Sequence, residues 1–241
     1  MTRIIDHTDR NYVALRKMLN TGKYNGAYYY SQEIVKNIIP NVKTDRPWNT
    51  LGMRSLGLQR DAIVFLHHNL NWEKVYGWMK RRYKNNIYVV NTQDTYNYIK
   101  SQGWPVIFLP LSIDVDYVKQ FKTKKTKEVC HTGNRWSFIR QELKDNIPAN
   151  VDYPPDDLPR EELLKFVAPY RKCYAIGRCA LEALALDCEI MPFYHKWPSA
   201  DYWKLLSNQN AAVLLQKALG DIERGANAVD CRDYPDYNNM V

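Results

Sequence analysis

The sequence lacks any apolar run that is long enough to cross a membrane. No stretch of its 241 residues approaches about 18 uninterrupted apolar side chains, and the N-terminal segment MTRIIDHTDR has no apolar signal core. Its five cysteines are odd in number and form no C-x-x-C pair, which argues against a disulfide framework or a structural zinc site. We therefore expect a cytoplasmic protein without a transmembrane segment. Nothing in the sequence fixes its oligomeric state.

Internal repeats and long low-complexity segments are also absent, and short apolar runs alternate with helix-like stretches. The strand-like runs are 62–66, 87–90 and 106–109 in the first half, and 128–131, 151–153, 172–176 and 189–193 in the second. The helix-like stretches include 31–39, 92–103, 178–186, 201–206 and 211–219. This alternation is typical of a mainly parallel sheet covered by helices, so we predict the α/β class.

A lysine-rich segment separates the two halves. Residues 117–128 contain five lysines, and the alternation of strands and helices restarts after them. We interpret this segment as the crossing between two domains, 1–118 and 119–241, and the polar segment 230–241 as loose. The net charge of +8 favours a polyanionic partner or an anionic ligand. For the lysines themselves, a solvated linker is the simpler explanation and a nucleic-acid contact is the alternative.

The segment 172–193, KCYAIGRCALEALALDCEIMPF, carries the clearest chemistry. It is typical of a strand, a glycine turn, a helix and a second strand. Gly177 allows a tight turn, and the N–H groups that begin the next helix suit a phosphate or diphosphate. Arg178 adds a donor for phosphate oxygens. Glu182 lies one turn later on the same face, where it either accepts from ribose hydroxyls or simply pairs with Arg178.

This segment resembles the donor site of GT-B glycosyltransferases, in which a glycine-rich turn precedes an L-E-A-x-A helix and a short strand. The resemblance implies two Rossmann-type parallel-sheet domains that face a cleft, with a nucleotide-sugar such as UDP-glucose as co-substrate and no other cofactor. It also implies that Ile176, Gly177 and Arg178 meet the diphosphate and that Glu182 holds the ribose.

The resemblance extends weakly to other segments. EVCHTGNRWSFIRQEL resembles the opening of the family's second domain, where Gly133, Asn134, Arg135 and Arg140 correspond to a loop that meets the donor phosphates. A Gly- and Arg-rich loop at a strand end is also a reasonable anion site by itself. An exposed helical charge is an equally good explanation of Arg140.

The sequence departs from the family pattern at two positions. The family's glycine after the helix is Asp187 here, and Tyr174 stands where many retaining members carry an acidic residue. The second departure puts in question a retaining mechanism that uses this carboxylate. The N-terminal half is also short and lacks the family's N-terminal glycine-rich loop.

Glycosyl transfer needs a stabilised leaving group and a base for the acceptor hydroxyl. Fixed positive charge from arginines and a helix N-terminus can stabilise the leaving group, so we expect a metal-independent enzyme and do not assign the pair Asp114 and Asp116 to a metal. Our candidates for the base follow first-domain strands and are, in order, His68, His67 and Asp94, because histidine titrates near neutral pH. A structural role is the alternative for each histidine.

The sequence therefore predicts an enzyme that moves a sugar from a nucleotide-sugar to an acceptor hydroxyl. Positive charge with abundant Tyr and Trp suits DNA that carries a hydroxymethylated pyrimidine, as in phage DNA-modifying glucosyltransferases, with extrusion of the base from the duplex. A cell-envelope glycan is the conventional alternative acceptor. Tyr174 and the short first domain motivate a third reading, a non-catalytic nucleic-acid-binding protein on a degenerate GT-B fold.

Overall fold

The structure is a computed structural model, and it divides the chain into two compact units. It describes residues 31–50, 61–66, 85–132, 147–155, 158–193 and 202–241, together with the backbone of residues 4–5. Unit 1 combines residues 1–110 with 208–241, and unit 2 comprises residues 111–207.

Unit 1 contains a parallel sheet of six strands. In their order across the sheet they are β1 (Ile4–Ile5), β2 (Trp48–Asn49), β3 (Ile63–Leu66), β4 (Ile87–Val90), β5 (Val106–Phe108) and, from the end of the chain, β9 (Ala228–Asp230). Strands β3 and β4 are buried along their whole length. This burial explains their continuous apolar sequences, because helices cover both faces of a typical parallel sheet.

The described helices of unit 1 agree with the helical spacing of the sequence. Helix α1 (Gln93–Ser101) follows β4 and buries Tyr96 and Ile99. Residues 31–41 are helical and include a π turn at Ile34–Ile38, which packs against helix α5 (Asn208–Glu223). The buried residues of α5 recur every three or four positions, so one of its faces enters the core.

The C-terminal segment returns to unit 1. Strand β9 pairs with β5, and helix α6 (Tyr237–Met240) follows it. Lys217 of α5 forms an ion pair with Asp236 at 3.1 Å and lies 4.2 Å from the centre of the Tyr234 ring. The prediction of a loose tail is therefore wrong. The units also differ from the predicted division at 118/119, because residues 208–241 complete the sheet and core of unit 1.

Unit 2 contains a smaller parallel sheet. Its strands are β6 (Lys127–His131), β7 (Tyr170–Tyr174) and β8 (Glu189–Ile190), in that order. Cys130 pairs with Cys173 of β7 and, on its other side, forms a single parallel bridge to Asp152. The strand predicted at 151–153 is thus reduced to this bridge.

Three helices of unit 2 lie in its described part: α2 (Val115–Lys119), α3 (Arg160–Val167) and α4 (Arg178–Ala185). The lysine-rich segment connects α2 to β6 within this unit, and the N–H groups of Thr126 and Lys127 both donate to the Pro169 carbonyl, at 2.9 and 3.0 Å. The chain enters unit 2 at Leu111, so this division into compact units differs from the predicted crossing in the lysine-rich segment. The helix predicted for 201–206 is also wrong for residues 203–206, which are not helical.

The expected α/β class with parallel sheets is confirmed. Among the helices that the structure describes, none is long and apolar enough to span a bilayer.

Candidate functional site

The strand order of unit 2 reverses at β6. The chain leaves β6, returns at Asp152 on one side of it, and then passes to β7 on the other side. In open α/β sheets such a reversal opens a crevice outside the carboxyl ends of the strands, and ligands bind there. Here a hydrogen bond from the Thr132 N–H to the Tyr174 carbonyl, at 3.2 Å, joins the carboxyl ends of β6 and β7.

Gly177 forms the turn from β7 into α4. Its φ of 63° and ψ of −139° lie in a region that residues with a side chain rarely adopt. The first turn of α4 contains no acidic side chain, so its N-terminal dipole is not neutralised from within the helix. The positive end of α4 therefore lies at the carboxyl edge of the sheet, where it favours negative charge.

Glu182 is held by two arginines. Its Oε1 accepts hydrogen bonds from Arg178 Nε at 2.9 Å and from Arg160 Nε at 3.0 Å. The side chains of Glu182, Arg178 and Arg160 are only 7%, 11% and 16% exposed. The sequence left two alternatives open for Glu182, and the ion pair with Arg178 is the one that forms. The pair is largely buried, and a second arginine, Arg160, shares the carboxylate.

The Arg160–Glu182–Arg178 trio carries one net positive charge. Charges that are largely removed from water need partners, because burial is costly for the ionised form. The Arg160 guanidinium also lies 5.1 Å from the centre of the Tyr117 ring, a cation–π contact that restricts its position. The Tyr117 hydroxyl in turn donates to Glu161 at 3.1 Å. Burial and this hydrogen bond raise the pKa of Tyr117.

Cys179 lies beside the trio but is not a nucleophile. Burial and then the negative charge of Glu182 raise the pKa of Cys179 to about 12, while Arg178 and a hydrogen bond with Thr132 act in the opposite direction. The thiol is therefore protonated at neutral pH, and only the thiolate is reactive.

Aromatic side chains surround His131 at the end of β6. The His131 ring stacks on Tyr153 with centroids 5.3 Å apart and meets the edge of Phe193 at the same distance. Tyr174 packs edge-on against Phe193 at 6.0 Å. Tyr153 is 46% exposed, whereas His131 and Tyr174 are buried. Tyr174 thus contributes packing where the family pattern has a carboxylate.

The structure brings together one group of the predicted donor-site residues. Ile176, Gly177, Arg178 and Glu182 all lie on the turn after β7 and on α4. The other predicted residues of the donor loop and the two histidines lie outside the described residues: Gly133, Asn134, Arg135, Arg140, His67 and His68.

The predicted carboxylates lie on separate elements. Asp94 is exposed in the first turn of α1 in unit 1. Asp114 caps α2 by accepting from the Tyr117 N–H at 3.0 Å. Asp187 follows α4 with a left-handed φ of 62°, a conformation that glycine adopts most easily, and it forms an ion pair with Lys122 at 2.7 Å. Within the described ranges, no group of three or more His, Cys, Asp or Glu side chains is placed to hold a metal ion.

Sequence reasoning missed Arg160. It begins α3 directly after Pro159 and lies 22 residues before Glu182 in the chain. Because proline is common at the start of a helix, Pro159 indicated that Arg160 lies in the first turn of a helix. Nothing in the sequence indicated that the starts of α3 and α4 approach one another.

A second arginine–carboxylate group lies in unit 1. Arg232 donates to Asp230 through both Nε and Nη2, and to Gln93 through Nη2. Its guanidinium lies 3.9 Å from the centre of the Phe108 ring. Arg232 and Asp230 form an ion pair, and these contacts connect β9 to β5 and α1.

Comparison with protein-family models, with curated proteins and with solved structures finds no match for this chain. The described residues themselves must therefore carry any assignment of function. Among them, the Arg160–Glu182–Arg178 trio combines net positive charge, burial and a position at a strand-order reversal. These properties suit an anion with several oxygen atoms.

Proposed function

We propose that this chain is a glycosyltransferase that uses a nucleotide-sugar, and that the donor diphosphate binds at the start of α4 beside Arg178 and Arg160. The observation that carries the proposal is the net-positive, largely buried trio at the carboxyl edge of a parallel sheet. The resemblance of residues 172–193 to the GT-B donor segment supports the choice of a nucleotide-sugar among phosphate-bearing ligands.

The chemistry requires positive charge at the leaving group. The bond between the sugar C1 and the diphosphate oxygen breaks, and the electron pair stays on the diphosphate. The acceptor oxygen forms a new bond to C1, and its proton passes to a base. Fixed guanidinium groups and helix N–H groups stabilise the charge that develops on the diphosphate without any reorganisation of solvent. No step in this scheme requires a metal ion.

Glu182 has two tasks in this proposal. It positions Arg160 and Arg178, since the Nε group of each donates to Oε1. The second oxygen, Oε2, is the one that we assign to a ribose hydroxyl, as the family resemblance implies. A carboxylate accepts several hydrogen bonds, so the two tasks are compatible.

We further propose a GT-B arrangement in which unit 2 binds the donor and unit 1 binds the acceptor. Asp94, His67 and His68 remain the candidates for the base. Of these three, only Asp94 lies among the described residues, and it is exposed in the first turn of α1, which follows β4. DNA with a hydroxymethylated pyrimidine is the acceptor to test first, with a cell-envelope glycan as the alternative.

A thermal-shift screen against UDP-, GDP-, dTDP- and ADP-sugars tests the donor site. A donor at a hundred times its dissociation constant stabilises the folded state by about 2.7 kcal/mol, so it should raise the melting temperature clearly. We expect Arg178→Met and Arg160→Met each to weaken this donor at least about tenfold, because each removes a charge-assisted hydrogen bond. The control is Arg232→Met, which removes an arginine from unit 1 and should leave donor affinity unchanged.

The proposal fails if no nucleotide-sugar is bound or slowly hydrolysed by the wild-type protein. The acceptor is tested separately with radiolabelled sugar. Transfer to hydroxymethylpyrimidine DNA but not to unmodified DNA supports a DNA acceptor. Absence of label with every donor excludes that acceptor and leaves the donor site standing.

A further inference from the structure

We propose that the amino edge of the unit 2 sheet binds the phosphate backbone of a nucleic acid, independently of base sequence. The amino-edge patch consists of exposed cations that the donor site does not use: Lys119, Lys122, Lys124, Lys127 and Arg171. This inference goes beyond the proposed glycosyl transfer and does not depend on it.

The patch is part of the fold and not a loose linker. Two N–H groups of the lysine-rich segment donate to the Pro169 carbonyl, and Lys125 Nζ donates to the Ala168 carbonyl at 2.8 Å. Lys127 lies 5.0 Å from the centre of the Tyr170 ring. The backbone that precedes β6 is therefore held against the start of β7, and a ligand need not order it when it binds.

The charge of the patch is only partly balanced. Asp187 pairs with Lys122 at 2.7 Å, and Glu128 lies 3.9 Å from Arg171. In the part of the chain that the structure describes, Lys119, Lys124 and Lys127 have no carboxylate within ion-pair distance. Like charges on one short segment repel one another, so this arrangement gains from a polyanion that spans it.

The side chains around these cations favour a nucleic acid over a membrane. Gln120, Thr123 and Thr126 are exposed between the lysines, and such side chains commonly contact phosphate oxygens. The neighbouring apolar residue, Phe121, packs toward the core of unit 2. Membrane-binding surfaces of peripheral proteins usually present exposed Trp, Phe or Leu beside their basic residues.

Most of the patch lies at the opposite edge of the sheet from the donor site, because Lys127 and Arg171 are at the starts of β6 and β7 and Lys122 pairs with Asp187 after the end of α4. Parallel strands begin at one edge and end at the other, and a five-residue strand such as β6 spans roughly 16 Å. Binding of a polyanion at the patch should therefore leave the Arg160–Glu182–Arg178 trio accessible.

The test compares two charge-reversal variants with the same net charge. Lys119→Glu/Lys124→Glu removes two exposed lysines of the patch, and the control Lys36→Glu/Lys100→Glu removes two exposed lysines of unit 1. Binding to fluorescein-labelled 30-base single-stranded and 30-base-pair double-stranded DNA is followed by fluorescence anisotropy, at several KCl concentrations from about 50 to 300 mM.

We expect wild-type binding to weaken steeply with salt. The patch variant should bind at least about tenfold more weakly near 100 mM KCl, with a salt slope about two units shallower, whereas the control should stay within about threefold of wild type. Equal losses in both variants would overturn the proposal, because net charge alone would then explain binding. Binding to phosphatidylserine vesicles without binding to DNA would also overturn it, in favour of a membrane surface.

Two further measurements keep the result interpretable. If the patch variant melts at a lower temperature than wild type, Lys119→Gln/Lys124→Gln replaces it, with Lys36→Gln/Lys100→Gln as control. The DNA assay contains no nucleotide-sugar, so failure of the proposed transferase activity would not affect it. A donor-induced melting shift that is unchanged in the patch variant would show that the two sites are separate.

Discussion

The two units each place an arginine–carboxylate group at the end of parallel strands, but the groups differ in charge and burial. In unit 2, Arg160 and Arg178 share Glu182, and all three side chains are largely buried. In unit 1, Arg232 pairs with Asp230, also donates to Gln93 and is 34% exposed, with its guanidinium over Phe108. The three side chains of the first group sum to one positive charge and are largely removed from water, whereas Arg232 and Asp230 form a neutral, more exposed pair that connects β9 to its neighbours.

The sheets differ in a related way. The strands of unit 1 lie across the sheet in the same order as in the chain, β1 to β5 and then β9. The strand order of unit 2 reverses at β6, between Asp152 and β7. A reversal opens a crevice for a ligand, so topology and charge select the same unit for the candidate site.

The largest expected difference concerns two cysteines, the half-buried Cys179 beside the trio and the buried Cys231 beside Arg232. Because burial and Glu182 raise the pKa of Cys179 from 9.0 to about 12, its thiolate fraction at pH 8 should be roughly a thousandfold below that of an unperturbed thiol. We expect Glu182→Gln to speed the alkylation of Cys179, which is only half-buried, whereas Asp230→Asn should change the labelling of Cys231 little, because that side chain is 0% exposed and the reagent does not reach it. Peptide mapping by mass spectrometry after iodoacetamide treatment measures both. Labelling of Cys179 in wild type at the rate of an exposed thiol would contradict this.

The second largest difference is in stability: removal of the carboxylate should lower the free energy of unfolding more in unit 2 than in unit 1. Glu182→Ala leaves two largely buried guanidinium groups and should lower the free energy of unfolding by about 3 kcal/mol. Asp230→Ala leaves an arginine that water can reach, and should cost about 1 kcal/mol. Urea denaturation measures both losses. An equal or larger loss for Asp230→Ala would show that the deeper burial of the trio does not make its carboxylate more important for stability.

The glycine turn gives a smaller effect with a matched control. Gly177 and Gly103 have similar left-handed φ values of 63° and 69°, and a Cβ on either would meet no atom within 4 Å. Alanine at each position should therefore cost about 1 to 2 kcal/mol of stability through backbone strain alone. Only Gly177→Ala should also weaken donor binding in the thermal-shift screen, because it displaces the start of α4. Equal donor binding by both variants would place the donor elsewhere.

The smallest effect is a pH dependence in unit 1. A hydrogen bond from Tyr234 lowers the pKa of Asp221 below 3.8 in the folded protein. The stability from this pair is therefore present above the unfolded-state pKa and is lost as pH falls through the lowered folded-state pKa. Tyr234→Phe should be less stable than wild type by about 0.5 kcal/mol near pH 6, and the difference should shrink below about pH 3. A difference that stays constant with pH would show that Tyr234 acts by packing alone.

Local sequence was sufficient for the core elements near the site. The apolar runs at β3, β4 and β5, the glycine turn and helix α4 all form near their predicted positions, because burial patterns and turn residues act over a few residues. Arg178 and Glu182 were found for the same reason, since their spacing of four residues places them together on one helix face.

The sequence by itself determined the class of the fold, the turn at Gly177 and the placement of Arg178 and Glu182 on one helix face. Only the tertiary structure decided that Arg160 joins them, that residues 208–241 complete unit 1, and that the lysine-rich segment lies along a sheet edge of unit 2. The physical reason is range. Helix periodicity and backbone strain act between near neighbours, whereas strand pairing and the sharing of one carboxylate depend on which distant segments the whole fold brings into contact.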